Sequence, residues 1–549
     1  MSHRPVYLET FGCQMNELDS ELVAGQLSAL GYRFVEEPAE AEVVLYNTCS
    51  VRDLAEQKVR SRLGEMAVRK KAEPGLVVGV LGCMAERDGE GMIGKYPVVD
   101  LLCGPAELDK LPTLLDNAVR TRDAMDADDP ELAAKRSARA VALQGSASRR
   151  SGTLAAAEDR LELLDLSRAV SPVDTGHSSA YVRITRGCNK FCTYCVVPHT
   201  RGAETHRPPD HIVDECKRLA DAGVVEVTLL GQTVNHYRFE HGAAVTIGGM
   251  VQPQKGRTYK GGHRRDVMGG ANVTTFADLL RRIHDEVPAI QRLRFVTSYP
   301  RDFGDDVLEV IRDSPRICRY LHVPAQSGSD AQLKLMNRGY TVSEYLEFVD
   351  RCRHYLDEPE KGRPLMLSGD MIVGFTGETD ADFAGSVELL KKARYKNCFI
   401  FKYSPRPGTT AFDRLPDDVP DAVKRRRNNE LLAVQHEISA EISAEQVGKT
   451  LEIYVEGVSA RERKKASGSQ RVKSGMAALT VGGRSINERA IEAVEAEDAG
   501  PVQLSGRTDT DLIVLFDTPE GASPAGFIGT TQRLRVTNAN VLTLFGELA

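Results

Sequence analysis

Residues 181–195 read YVRITRGCNKFCTYC, a strand-like run that passes directly into a loop carrying three cysteines. The spacing of Cys188, Cys192 and Cys195 is C-x3-C-x2-C. Downstream, further apolar runs follow at 225–231 (VEVTLLG), 292–298 (RLRFVTS), 319–325 (RYLHVPA), 369–375 (GDMIVGF) and 398–404 (CFIFKYS). Helical patterns separate most of them, over 208–222, 275–287, 304–313, 341–356 and 378–393. Strands that alternate with helical crossovers form parallel βα units. Six of them predict an α/β domain built as a partial (βα)6 barrel over 176–438. Residues 240–273, rich in Gly, His, Arg and Gln, break the rhythm after the second strand and read as an inserted surface loop.

Upstream, residues 1–122 carry four more apolar runs, VYLETFG, EVVLYNT, LVVGVLG and VVDLLCG, with amphipathic stretches between them. That alternation predicts a small parallel α/β domain. Residues 123–175 lose periodicity and read as a long mobile linker, with a short helix expected around 155–168. The last part, 439–549, has short strand runs (LEIYVEG, PVQLSG, TDLIVLFD, QRLRVTN, NVLTLFG) that predict a small β-barrel. A polar insertion at 461–500 splits its first two strands.

The chain has 549 residues, of which 41% are hydrophobic and 27% charged, an ordinary globular mixture. No apolar run approaches a membrane-spanning length and the start lacks an export signal, so a cytoplasmic protein with no membrane partner is expected. Thiols stay reduced there, so the 11 cysteines are candidates for metal chemistry before disulfides. Net charge is −7, so any nucleic-acid contact must come from local patches. Two exist: KRRR at 424–427, and 461–473, where Arg461, Arg463, Lys464, Lys465, Arg471 and Lys473 face only Glu462. A solvated surface run is the bland alternative for both.

Three thiolates from one loop can ligate three irons of a [4Fe–4S] cubane and leave the fourth iron open. An open iron can chelate the amino and carboxylate groups of S-adenosylmethionine, and reductive cleavage then gives a 5′-deoxyadenosyl radical. A zinc site with His199 as fourth ligand is the competing reading, and the strand-to-loop context favours the cluster. Cys13, Cys49 and Cys83 each follow an apolar run directly. In parallel strands of one sheet they would gather at its carboxyl edge, where α/β folds place ligands. Cys103 occupies a similar strand-end position and stays a candidate on the residues alone. Cys216, Cys318, Cys352 and Cys398 lie inside helix or strand patterns and read as core. At the barrel mouth, Tyr194 is placed to stack near adenine or to pack as an ordinary aromatic. Gly231, Gln232, Gln326, Ser327 and Val373 follow strands and are candidate S-adenosylmethionine contacts, although tight turns need glycine there equally.

The blocks TFGCQMNELDSE, NTCSVRDLAEQK, LLGQTVNHY, RLRFVTSYP, PAQSGSDAQLKLMNRGYT, IVGFTGETDADF and FKYSPRPGTTAF resemble the methylthiotransferase family of radical S-adenosylmethionine enzymes. SGRTDTDLIVLFD resembles the family's TRAM domain, a small β-barrel associated with RNA binding. GCQMN and NTCSVR are most similar to the MiaB-type branch, which acts on N(6)-dimethylallyladenosine in tRNA; the other branches carry GCPKN-like or GCKVN-like blocks.

The resemblance implies two [4Fe–4S] clusters and S-adenosylmethionine. It assigns Cys188, Cys192 and Cys195 to the radical cluster and Cys13, Cys49 and Cys83 to an auxiliary one, and it leaves Cys103 out. No catalytic residue beyond these ligands is expected. It further implies a tRNA anticodon loop as substrate and an electron donor such as flavodoxin or ferredoxin. The alternatives are methylthiolation of ribosomal protein S12 or of threonylcarbamoyladenosine. A non-catalytic iron–sulfur RNA-binding protein is the alternative from another class.

Overall fold

A computed structural model of the protein describes residues 4–51, 53–126, 140–143, 159–168, 179–256, 270, 272–466, 478–481, 484–485 and 500–549. In the N-terminal part, Pro5–Phe11, Val43–Thr48, Val77–Gly82 and Leu101–Cys103 lie side by side as parallel strands. They are almost wholly buried, as unbroken apolar strands covered on both faces must be. One apolar layer lies under Gln14–Ala29 and Leu111–Asp126, the other under Asp53–Ala72. Four further segments complete the eight-stranded sheet, among them the short Arg33–Phe34 beside Pro5–Val6 and Arg484–Ser485 beside Thr480–Val481. Ala140–Ala142, inside the stretch read as linker, adds in parallel to Leu101–Cys103. Ala478–Val481, from the C-terminal insertion, pairs antiparallel with Glu9–Phe11 at the opposite edge. The expected linker helix is Arg160–Leu166. The remainder of the linker, and Arg471 and Lys473 of the basic run, lie outside the described residues.

The central part has the six expected strands. Ser179–Arg183, Glu226–Leu230 and Arg292–Phe295 form one parallel sheet; Tyr320–His322, Met366–Val373 and Asn397–Lys402 form another. A parallel bridge from Leu293 to Ile317, and the Ser298 N–H donating to the His322 carbonyl (3.1 Å), join the two into one open barrel. Three of its outer helices start on capping boxes. Thr275, Thr341 and Thr379 each accept from the backbone three residues on, and Asp278, Glu344 and Asp382 return the bond. Such capping boxes satisfy the first free N–H groups of a helix. The insertion at 240–273 is more than a surface loop: Thr246–Ile247 pairs with Met250–Val251, and Gln254–Lys255 pairs with Thr205–His206 beside the cysteine loop.

The C-terminal strands Thr450–Val458, Gln503–Arg507, Ile513–Asp517, Thr543–Leu548 and Thr531–Ala539 close into a barrel. The turn between its second and third strands plugs the amino-terminal end of the large barrel. There Arg292 and Arg294 both donate to the Thr508 carbonyl (2.6 Å each), and Lys396 pairs with Asp511 (2.9 Å). No helix among the described residues is long and apolar enough to cross a membrane.

Candidate functional site

The three N-terminal cysteines leave neighbouring parallel strands at the same end. Cys13 follows Pro5–Phe11, Cys49 follows Val43–Thr48, and Cys83 opens the helix Cys83–Asp88 straight after Val77–Gly82. Gly12 holds φ +127°, and a Cβ there would run into the Cys49 side chain, so the approach of the two cysteines requires glycine. A buried ladder fixes the turn. Asn16 Nδ2 donates to Asn47 Oδ1 (3.2 Å), and Asn47 Nδ2 donates to the Asn16 carbonyl (2.8 Å) and to Ser20 Oγ (2.9 Å). The Cys49 thiol is pushed up by its hydrogen bond with Cys13, by burial, and by the charges of Cys13 and Cys83. Those three sulfurs therefore share one place. Cys103 does not: its thiol donates to the Glu107 carbonyl (3.2 Å) and packs in the apolar layer with Leu81, Leu108 and Leu111.

The second triad sits on the loop after Ser179–Arg183. Gly187 holds φ +71°, and a Cβ there would strike the Ala203 carbonyl, so the position requires glycine; the Cys188 N–H donates to the Gly202 carbonyl (3.2 Å). Burial, Glu204 and the other two thiols push Cys188 up; burial and Cys192 push Cys195 to about 12. Arg338 Nη1 donates to Cys192 Sγ (3.3 Å), and its guanidinium lies 4.6 Å from the Tyr299 ring and 5.3 Å from the Tyr340 ring.

Crowded buried thiols resist ionisation, and a bound cation reverses that by deprotonating them. A single zinc at about 2.3 Å from each sulfur would draw three sulfurs to within about 4 Å of one another. Among the described residues neither thiol triad closes to within 4.8 Å. Each triad supplies three thiol donors, a number that fits a [4Fe–4S] cubane in which one iron takes another ligand.

The two triads meet at a single junction. Helix Val197–Thr200, just past Cys195, packs on the helix that Cys83 opens. Arg201 then reaches into the N-terminal domain, donating to Asp19 Oδ2 (2.9 Å) and Asn16 Oδ1 (3.3 Å) and hydrogen-bonding the Cys83 thiol.

Both halves of this junction lie in segments that match known families. The radical S-adenosylmethionine superfamily matches residues 182–390, and uncharacterized protein family UPF0004 matches residues 5–104. The tRNA-2-methylthio-N(6)-dimethylallyladenosine synthase of Rhodopirellula baltica is 42% identical over 94% of this chain and 90% of its own. Its namesake in Phocaeicola vulgatus is 38% identical over 99% of this chain and 96% of its own. The chain belongs to this synthase family. Among solved structures, a radical S-adenosylmethionine methyltransferase from Kitasatospora setae covers 75% of this chain and 77% of its own, at 16% identity and TM-score 0.45.

In this member of the synthase family, the barrel mouth carries unpaired polar groups where the strands end. Thr185 Oγ1, Gln232 Oε1, Ser298 Oγ and Thr376 Oγ1 are buried without a hydrogen-bond partner. Such atoms await a ligand or water. Gly231 is needed because a Cβ would strike Thr185 Oγ1. Gln326 holds φ +74° and bridges to Met366–Val373 through its own backbone, donating to the Asp370 carbonyl (2.8 Å). Ser327 is fully buried and accepts from the Ser329 N–H (3.2 Å), while Val373 is core. Tyr194 packs edge-on against Phe375, with ring centroids 6.2 Å apart.

Sequence reasoning missed Arg338 and Arg201, whose role appears only once the fold brings them to the thiols. It also misread half of the KRRR run. Lys424 and Arg427 are buried, pairing with Asp417 and Glu378; Arg425 and Arg426 alone face solvent.

Proposed function

We propose that this protein methylthiolates carbon 2 of N(6)-dimethylallyladenosine beside the anticodon of tRNA. The observation that carries the proposal is the pairing of two cysteine triads at one junction, on a chain of the synthase family. The chain is read as an auxiliary-cluster domain (1–122), a linker (123–175), a radical domain (176–438) and an RNA-binding TRAM barrel (439–549), working in the cytoplasm with a flavodoxin- or ferredoxin-type reductant. When bound, two [4Fe–4S] clusters and S-adenosylmethionine supply a radical that removes the carbon-2 hydrogen and the methylated sulfur that replaces it. Cys188, Cys192 and Cys195 hold the first cluster; Cys13, Cys49 and Cys83 hold the second.

The chain's own contribution is positioning. Gly231 lets the backbone approach S-adenosylmethionine, and Gln232, Gln326 and Tyr194, with the backbone at Ser327 and Val373, line its place. The unpaired Thr185, Gln232 and Ser298 give it polar partners. An anticodon-loop base is single-stranded and can be unstacked toward the mouth. Phe191, between Cys188 and Cys192, is 48% exposed and offers a face for stacking. Burying the prenyl group contributes about 0.8 kcal/mol per methylene, which separates it from a bare amino group.

The test is single turnover with matched tRNAs, prenylated and not, alongside ribosomal protein S12, with nucleosides read by mass spectrometry. Methylthio transfer to prenylated tRNA alone is expected. Reaction with S12, or equal reaction with unmodified tRNA, would overturn the substrate assignment.

A further inference from the structure

Behind the radical-cluster loop lies a group of side chains that the proposed reaction does not use. Glu204, His206 and His236 place one ligand atom each within 4.8 Å of the others, and all three are buried. His236 Nδ1 lies 2.8 and 2.9 Å from the two Glu204 oxygens. His206 Nε2 lies 3.4 Å from Glu204 Oε1, and that contact falls short of a hydrogen bond. The residues come from separate segments: Glu204 and His206 from the chain that follows the cysteine loop, His236 from the turn after Glu226–Leu230.

Hydrogen bonding leaves this group incomplete. The Glu204 carboxylate is fully buried, and the groups that hold its pKa down against burial are the two imidazoles. It also lies near enough to Cys188 to push that thiol up. Two imidazoles thus face one buried carboxylate, the donor combination of a metal site. His206 sharpens the point. Its Nδ1 sits 2.8 Å from the Arg238 carbonyl and 2.7 Å from the Arg238 N–H, so two tautomers are available. If Nδ1 accepts, Nε2 carries a hydrogen with no acceptor in line, a buried unsatisfied donor. If Nδ1–H donates to the carbonyl, Nε2 presents a bare lone pair toward Glu204. The second arrangement is the one in which metal-binding histidines are held by a backbone carbonyl. Gly256 keeps the space open, since a Cβ there would come within 2.7 Å of His206 Nε2 and 3.0 Å of Glu204 Cγ. The Thr233 hydroxyl, 3.1 Å from Glu204 Oε1, orients the carboxylate from outside.

We propose that Glu204, His206 and His236 bind a divalent transition-metal ion of the zinc class, with a water as fourth ligand. Two imidazoles and one carboxylate are an ordinary zinc donor set. The ion is a positioning device. The Glu204 N–H donates to Asn189 Oδ1 (3.1 Å), and Asn189 lies between Cys188 and Cys192 in the loop. His236 stands four residues past Gln232, so the ion ties the cysteine loop to the second strand's turn.

The test is metal analysis of reconstituted full-length protein, supplied with zinc and then desalted, together with zinc-edge X-ray absorption. About one zinc per chain is expected, in a shell of nitrogen and oxygen at about 2.0–2.1 Å with no sulfur. His206→Gln and His236→Gln should each lose most of that zinc while keeping the wild-type iron content. Absence of zinc from the wild type, sulfur in its shell, or unchanged zinc in both variants would overturn the proposal. If a variant misfolds, the composition of the wild-type shell decides the matter.

Discussion

Arg338 places a permanent positive charge and a hydrogen-bond donor against Cys192, between two tyrosine rings. Hydrogen bonds and charge at cluster sulfurs set reduction potential. Arg338→Gln should therefore make the radical cluster harder to reduce, shifting its potential to more negative values. Arg338→Lys should restore part of the shift. An EPR-monitored redox titration of protein whose auxiliary cysteines are alanine reads the potential of this cluster alone. Cys103 gives the opposite kind of prediction. Its thiol sits in an apolar layer, so Cys103→Ala should cost about 1 kcal/mol of stability and leave the iron content unchanged. Cys49→Ala should lower the iron content instead. At this scale the grouping of the six thiols into two triads was legible in the sequence, because each follows a strand run or shares one short loop. Arg338, Arg201 and the Glu204 group were not, since each acquires its partners from segments far away along the chain.

Between elements, the short helix Arg160–Leu166 does more than span a gap. Glu162 and Asp165 are buried beneath it and meet Arg207 (2.9 Å) and Arg183 (2.6 Å); Arg183 also reaches Asp19 (3.1 Å), the residue that holds Arg201. Burial alone would lift the Asp165 carboxyl, yet Arg183 and Arg207 hold it below its ordinary range. Removing one partner of such a network strands a buried charge. Asp165→Asn should cost about 3–5 kcal/mol in urea unfolding and should loosen the junction between the two triads.

Asp511 does similar work at the far end of the large barrel. Burial would raise its carboxyl, but Arg507, Lys396 and Arg294 hold it well below the carboxylate range. A depressed carboxyl stabilises fully above its ordinary value of 3.8 and loses that stabilisation as pH falls through its lower folded value. Docking of the small barrel should therefore persist at pH 5 and fail only in stronger acid. Asp511→Asn should release it at neutral pH, as limited proteolysis around residues 440–450 would show.

The outer helices could be read from sequence because their threonine–acid caps and apolar spacing are local. Ala140–Ala142 and the paired strands within 246–255 could not, because such short segments become strands only through the neighbours they pair with. The helix within the linker was expected, but its role was not legible, because Glu162 and Asp165 find their partners, Arg207 and Arg183, in the next domain.

Considering the molecule as a whole, nucleic-acid binding cannot be tested by cutting off the C-terminal barrel. That cut would strip Arg292, Arg294 and Lys396 of the turn they bind. Point changes on the exposed face are cleaner. Arg533 and Arg535 alternate with buried Leu534 and Val536 along Thr531–Ala539 and face solvent. If they contact phosphates, Arg533→Gln with Arg535→Gln should weaken tRNA binding and reduce the salt slope of log affinity by about 1–2. Cleavage of S-adenosylmethionine without tRNA should be unchanged.

The pairing of Ala478–Val481 with Glu9–Phe11 also bears on how the protein is made. The first strand leaves the ribosome with that flank open, and its partner is 467 residues behind, counting from Phe11 to Ala478. At about 5–20 residues per second, roughly 25–90 seconds pass before the partner is synthesised. Throughout that interval an unpaired strand edge is available to any passing chain. Nascent chains should therefore depend on trigger-type chaperones over that window.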